Sequence, residues 1–184
     1  MPRKNPKTPK LVFVISDTHC GGTGGLMPPE YVTHDGQVVK ANKGQLWLWK
    51  NWLDAIKWIK KKAAGDPYAI VLNGDIIDGL HHKNTQIVSA EIEDHIGIAL
   101  ACLKPILNDA SRLFFIKGTE CHTNGYEALI GKMLGGEVDP DTGKAAFVRL
   151  ELEANGTLCV SRHHIGTTGR SWSEASQISI HMRE

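Results

Sequence analysis

Three short blocks are apolar from end to end: Leu11 to Ile15, Tyr68 to Leu72 and Leu113 to Ile116. Short continuous runs of this kind read as strands buried on both faces. Between them the period changes. From about residue 44 to 64, Trp49, Trp52, Leu53, Ile56 and Ile59 recur at helical spacing, with Lys50, Lys57, Lys60 and Lys61 off the stripe. Gly65-Asp66-Pro67 then stops the helix. A second helix is expected over about 87–108, with Ile92, Ile96, Ala99, Leu103 and Ile106 on one face and Pro105 kinking or shortening its last turn. A short helix is expected from Gly125 to Leu134. Ala146 to Leu152 and Leu158 to Ser161, separated by Asn155-Gly156, read as a hairpin. Residues 20–42 are rich in Gly, Pro and Asn and read as a long loop. The alternation strand–helix–strand–helix–strand predicts an α/β fold with a parallel sheet, and such sheets bind ligands beyond the carboxyl ends of their strands.

Composition adds little to this picture and removes several alternatives. The chain has 184 residues and a formal net charge of +1. Its roughly half-apolar make-up excludes a disordered, collagenous or disulfide-rich chain. The length fits one domain, expected over 11–184, preceded by a basic flexible tail over 1–10 that carries four cations and no acid. The apolar stretch after that tail is too short for a signal peptide, and the longest apolar run, Ile96 to Leu103, is too short for a membrane span. A cytoplasmic protein with no membrane partner is the expectation. Cys20, Cys102, Cys121 and Cys159 are scattered with no C-x-x-C, which argues against disulfides and a zinc ribbon.

The polar residues that follow the strands change the picture. Asp17-Thr18-His19 follows the first strand, and Gly74-Asp75-Ile76-Ile77-Asp78-Gly79 follows the second. Glu120 and His122 follow the third, and His163 and His164 close the hairpin. In extended chain, residues i and i+2 point to one side, so Asp17 and His19 can converge on one cation. Several carboxylates at one sheet edge repel one another unless cations lie between them. Mixed oxygen and nitrogen donors suit Mn, Fe, Zn or Ni better than Mg or Ca. The blander reading, that short polar residues cap helices and turns, explains each residue singly but not four strand ends together. His81 and His82 are read as a surface pair, His95 as structural, and His34 is left undecided.

The pattern D-x-H, then G-D-x-x-D, then a strand-end Gly with acid and His, then a later His, resembles the calcineurin-like metallophosphoesterase family. The span runs from Asp17 to about His164, most of the chain, and the match is similar to phage-type members. The resemblance implies a four-layer αββα sandwich with two divalent metal ions, manganese first among the candidates. Asp17 and His19 would bind the first metal, Asp75 would bridge, Asp78 would support the site, and His163 or His164 would bind the second. His122 would act as the acid beside the leaving group. The substrate would be a phosphomono- or phosphodiester, with a nucleotide or nucleic acid as one class of partner.

Two departures stand out. The family's third motif is G-N-H-[ED], whereas this chain reads Gly118-Thr119-Glu120-Cys121-His122. Either Thr119 takes the asparagine position or the two-residue change lets Glu120 ligate; the second is preferred, because threonine is a poor neutral ligand. The family's closing G-H-x-H is also missing, so an incomplete C-terminus is expected. A degenerate member that binds a nucleotide or protein without catalysis is the alternative.

Overall fold

The computed structural model describes residues 8–163, apart from 82 and 108. His164 therefore lies outside the described residues, as do His82 and most of the basic tail. Three strands, β1 (Leu11–Ile15), β4 (Tyr68–Asn73) and β5 (Arg112–Ile116), form a parallel sheet in the order β1-β4-β5. In register, Leu11 lies beside Tyr68 and Ala69 beside Arg112. The class is mixed α/β with a parallel sheet, as the alternation predicts.

β4 and β5 are buried on both faces, which is why they read as unbroken apolar runs, whereas β1 is only half-buried and its Val14 is exposed. Ile70, Leu72, Leu113 and Phe115 pack against α1 (Lys43–Ala63) and α2 (Ile92–Leu107). Ala69, Val71, Phe114 and Ile116 alternate with them and meet Phe147, Leu150 and Leu152 on the other side. The last two belong to β6 (Leu150–Ala154), which pairs with β7 (Thr157–Ser161) as an antiparallel hairpin. Asn155 and Gly156 turn that hairpin at φ 48° and 74°, the two positive values that a type I′ turn needs.

α1 starts at a capping box. The Asn42 side chain accepts from the Gln45 N–H at 3.0 Å, and Gln45 Oε1 accepts from the Asn42 N–H at 3.1 Å. Gln45 also donates to the Gly22 carbonyl at 3.2 Å, which ties the helix start to the segment after β1. Lys60, Lys61 and Lys62 occupy the last turn, where cations suit the helix dipole. Trp52, one of the clustered tryptophans, is core: its indole N–H donates to the Cys102 carbonyl at 2.9 Å.

Three elements differ from the expectation. The long loop holds a small hairpin, β2 (Glu30–Val32) with β3 (Val38–Lys40). α2 begins at Ile92 and not at 87, because Val88 donates to the Gly21 carbonyl at 2.7 Å and Ile87 bridges Gly22. A one-turn helix, α3 (Glu120–Thr123), precedes α4 (Tyr126–Leu134). The second sheet is so far the two-stranded hairpin among the described residues, so the four-layer sandwich is not established. No described helix is long and apolar enough to cross a membrane.

The loop hairpin is pinned to α2 by a buried carboxylate. His34 donates its backbone N–H to Asp94 Oδ1 at 2.8 Å, and its Nδ1 lies 3.1 Å from Asp94 Oδ2. Ser89 donates to the same oxygen at 2.6 Å. Burial alone would raise the Asp94 pKa; the bonds from Ser89 and His34 outweigh it and hold the carboxyl below its ordinary value. The same bond holds His34 above the ordinary histidine value. The histidine's contribution is therefore fully present below about pH 6.5 and fades as pH rises through its raised pKa. The aspartate's is present above about pH 3.9 and fades as pH falls through its lowered one. Melting curves across pH should show this alkaline decline in the wild type and lose it in His34→Ala. Leu103, fully buried between sheet and helices, should cost about 2–5 kcal/mol as Leu103→Ala in urea unfolding.

Candidate metal centre

The pairing of β1 with β4 does not stop at the strand ends. Asp17 donates its N–H to the Gly74 carbonyl at 3.2 Å, His19 to Asp75 at 3.0 Å and Cys20 to Ile76 at 2.9 Å, and Asp78 donates back to Cys20 at 3.0 Å. These bonds lock the Asp-x-His segment alongside the Gly-Asp-x-x-Asp segment. The cost is local strain. Asp17, His19 and Asp75 sit at φ 57°, 42° and 47°, left-handed conformations worth about 1–3 kcal/mol each. Strain of that size concentrated on three polar residues marks a site that the surrounding packing maintains.

Glycine permits the close approach. A Cβ on Gly74 would lie 2.4 Å from the His163 ring, and one on Gly118 would lie 2.4 Å from both the amide and the carboxylate of Asp75. No larger residue fits at either position without moving the site.

Two groups of donors result. Asp17, Asp75 and His163 form one, and His19, Asp78 and His122 the other; within each, the ligand atoms lie within 4.8 Å of one another. His19 joins them. Its Nε2 lies 3.8 Å from Asp17 Oδ1 and its Nδ1 3.3 Å from Asp78 Oδ1. Asp17 is half-exposed and accepts from Ser16 Oγ. Asp75 is buried and held by Thr119, whose N–H donates at 2.8 Å and whose hydroxyl lies 2.9 Å from both carboxylate oxygens.

His163 decides what the first group can hold. Its Nδ1 lies 2.6 Å from the Asn73 carbonyl. A carbonyl only accepts, so Nδ1 carries the hydrogen and Nε2 of the neutral ring carries a lone pair. That Nε2 lies 3.2 Å from Asp75 Oδ2. A lone pair aimed at a carboxylate is favourable only with a proton or a cation between them. Metal bonds of about 2.0–2.1 Å set tetrahedral neighbours about 3.3 Å apart, close to this separation. His19 Nδ1 is buried without a hydrogen-bond partner, although Asp78 Oδ1 lies at the same kind of distance. The donors fit a divalent cation in size and chemistry.

In the second group, His122 Nδ1 lies 3.2 Å from the Asp78 carbonyl and 3.5 Å from its carboxylate. Nδ1 again carries the hydrogen, which leaves Nε2 for other chemistry. His81 Nε2 lies 3.6 Å from the same Asp78 oxygen, and its ring stands 4.3 Å from that of His122. Asp78 thus gathers three imidazoles, and Asn84 donates to its other oxygen at 3.1 Å. His81 was read as a surface residue; its three-residue spacing from Asp78 was the available signal.

The structure brings Asp17, His19, Asp75, Asp78, His122 and His163 together. It does not bring Glu120. That side chain is exposed and bonded to Lys117 at 2.8 Å, which holds its carboxyl below the ordinary glutamate pKa. α3 opens at Glu120 and turns it outward, so the preference for Glu120 as a ligand is corrected: Thr119 occupies the place beside Asp75. Glu127, overlooked in the sequence, supports this from behind. It is buried, Oε1 accepts from the Gly118 N–H at 3.2 Å, and Oε2 has no hydrogen-bond partner. Burial pushes its pKa up, and the charge of Asp75 adds to the rise. His95 is structural, buried beneath Gly21 with Nε2 2.9 Å from the Ser89 carbonyl.

Comparison with known protein families, curated proteins and solved structures finds no match for this chain.

Asp75→Asn keeps the shape and removes the charge. Calorimetric titration with Mn should show binding lost in this variant; unchanged affinity would move the centre away from Asp75. Thr119→Val should weaken metal binding by about 10–100-fold, as loss of a partner that orients a ligand does.

Proposed function

We propose that this chain is a metal-dependent phosphoesterase of the calcineurin-like type, acting on phosphomono- or phosphodiesters. The observation that carries the reading is the placing of His163, with Nδ1 2.6 Å from the Asn73 carbonyl and Nε2 3.2 Å from the buried carboxylate of Asp75, beside Asp17 and His19 at the ends of parallel strands. Asp17, Asp75, His19 and His163 would hold divalent metal, with two ions as the family resemblance implies. Manganese is the first choice, and iron, zinc or nickel suit the same donors. When bound, such ions supply a water acidified toward neutral pH and positive charge against the phosphoryl oxygens.

The chain's own residues do the rest. His19 stands between two carboxylates, with Nδ1 3.3 Å from Asp78 and Nε2 3.8 Å from Asp17. His122 Nδ1 lies 3.5 Å from the Asp78 carboxylate, and its Nε2 would deliver a proton to the leaving oxygen. Thr119 and Glu127 keep Asp75 in place. The four-layer sandwich belongs to this reading: the β6–β7 hairpin would be the start of its second sheet.

A second reading is a member of the same fold that binds a nucleotide or protein without turnover. The observation that favours it is Thr119, whose hydroxyl is engaged with Asp75 where the family has an asparagine ligand. Metal analysis with a chromogenic phosphodiester assay in Mn separates the two. Turnover with bound metal supports the enzyme; one tight ion or none, without turnover, supports the binder. In the enzyme, His122→Asn should lower kcat by about 10²–10⁴-fold with metal stoichiometry unchanged. An undiminished rate would remove His122 from the mechanism.

A further inference from the structure

Two cavities flank the candidate centre, and they share Asn124. The smaller, about 220 Å³, is walled by Leu80, Ile92, Tyr126 and His122. It is below the size that encloses a drug-sized ligand, about 300–1,000 Å³, so it takes one ring system. Tyr126 and the two aliphatic side chains supply the apolar part of a mixed lining, and the Asn124 amide offers both a donor and an acceptor. The larger, about 940 Å³, begins at Lys117, directly before the Gly118-Thr119 segment that holds Asp75.

The larger groove is positive at its margins. Lys132 ends α4 and Lys144 stands on the turn before β6, both exposed. Among the described residues neither has a carboxylate partner. The acids in the groove are otherwise engaged: Glu120 is paired with Lys117, and Glu127 is buried beneath Gly118. The lining also includes the apolar Leu129, Val138, Ala145 and Val148.

We infer that the two cavities form one binding path for a single-stranded nucleic acid, with a base against Tyr126 beside His122 and flanking phosphates along Lys132 and Lys144. The inference rests on the phosphoesterase reading for its chemistry and stands on charge and shape for its occupant. A strand alternates flat apolar bases with spaced negative charges, which matches a groove with apolar residues and unpaired lysines on two separate elements. A mononucleotide would leave most of the groove empty.

The test is fluorescence anisotropy of a labelled oligothymidine of about 12 nucleotides with the full chain in EDTA, so that no turnover is needed. Binding should weaken with salt. The double variant Lys132→Glu with Lys144→Glu should bind about tenfold more weakly, with a salt slope shallower by about 1.4, two single-strand phosphate contacts. Lys132→Ala with Lys144→Ala gives the same direction if the reversals disturb folding, as checked by melting. Absence of binding, undiminished binding by both double variants, or equal competition by thymidine monophosphate would each overturn the inference. Hydrolysis of a small chromogenic diester by the wild type in Mn reads the phosphoesterase proposal separately. Strand binding without hydrolysis sinks that proposal alone, and hydrolysis without strand binding sinks this one alone.

Discussion

The organising constraint is the parallel pairing of β1 with β4, carried on by backbone bonds past the point where both strands end. Strand pairing sets register to the residue, and a one-residue slip would turn every side chain over. Because the pairing continues from Asp17 to Cys20 against Gly74 to Ile76, the two polar motifs are fixed to each other by main-chain geometry. Side-chain packing only refines what the ladder sets. The left-handed conformations of Asp17, His19 and Asp75 persist because this ladder over-determines them.

Electrostatics then separates the polar residues into two tasks. Asp75 is buried, and a buried carboxylate must be compensated. Thr119 supplies two donors, and His163 supplies an imidazole whose hydrogen is already committed elsewhere. His163 Nε2 faces the same carboxylate at 3.2 Å. Asp78 does the opposite work: it collects His19, His81 and His122 around one oxygen and so sets how those rings face. One carboxylate is held by Thr119 and faces His163, and the other gathers three imidazoles.

Much of this was legible beforehand. β4 and β5 are buried on both faces and β1 is half-buried along their edge, and all three read as unbroken apolar runs with sharp ends. The candidate ligands follow those ends, and Asp17, His19, Asp75, Asp78, His122 and His163 are neighbours in space as expected. What was missed depends on tertiary context. β2 and β3 are three residues each with exposed valines, too short for a period to register. Ile87 and Val88 continue a helical pattern but are drawn to Gly21 and Gly22. Glu120 has the right charge and nearly the right position, and only the turn of α3 shows that it faces Lys117. The role of Thr119 follows from its two contacts with Asp75, which no spacing rule reveals.

The division between rigid ladder and peripheral cavity has a consequence for how such a protein can change. The donors ride on segments whose backbones are bonded to one another, whereas Lys132 and Lys144 stand on a helix end and a surface turn. Substitutions at those outlying positions can retune what is recognised while the inner geometry stays untouched. Selection for a new ligand would then act where the scaffold is most tolerant, and the strained interior would be inherited nearly intact.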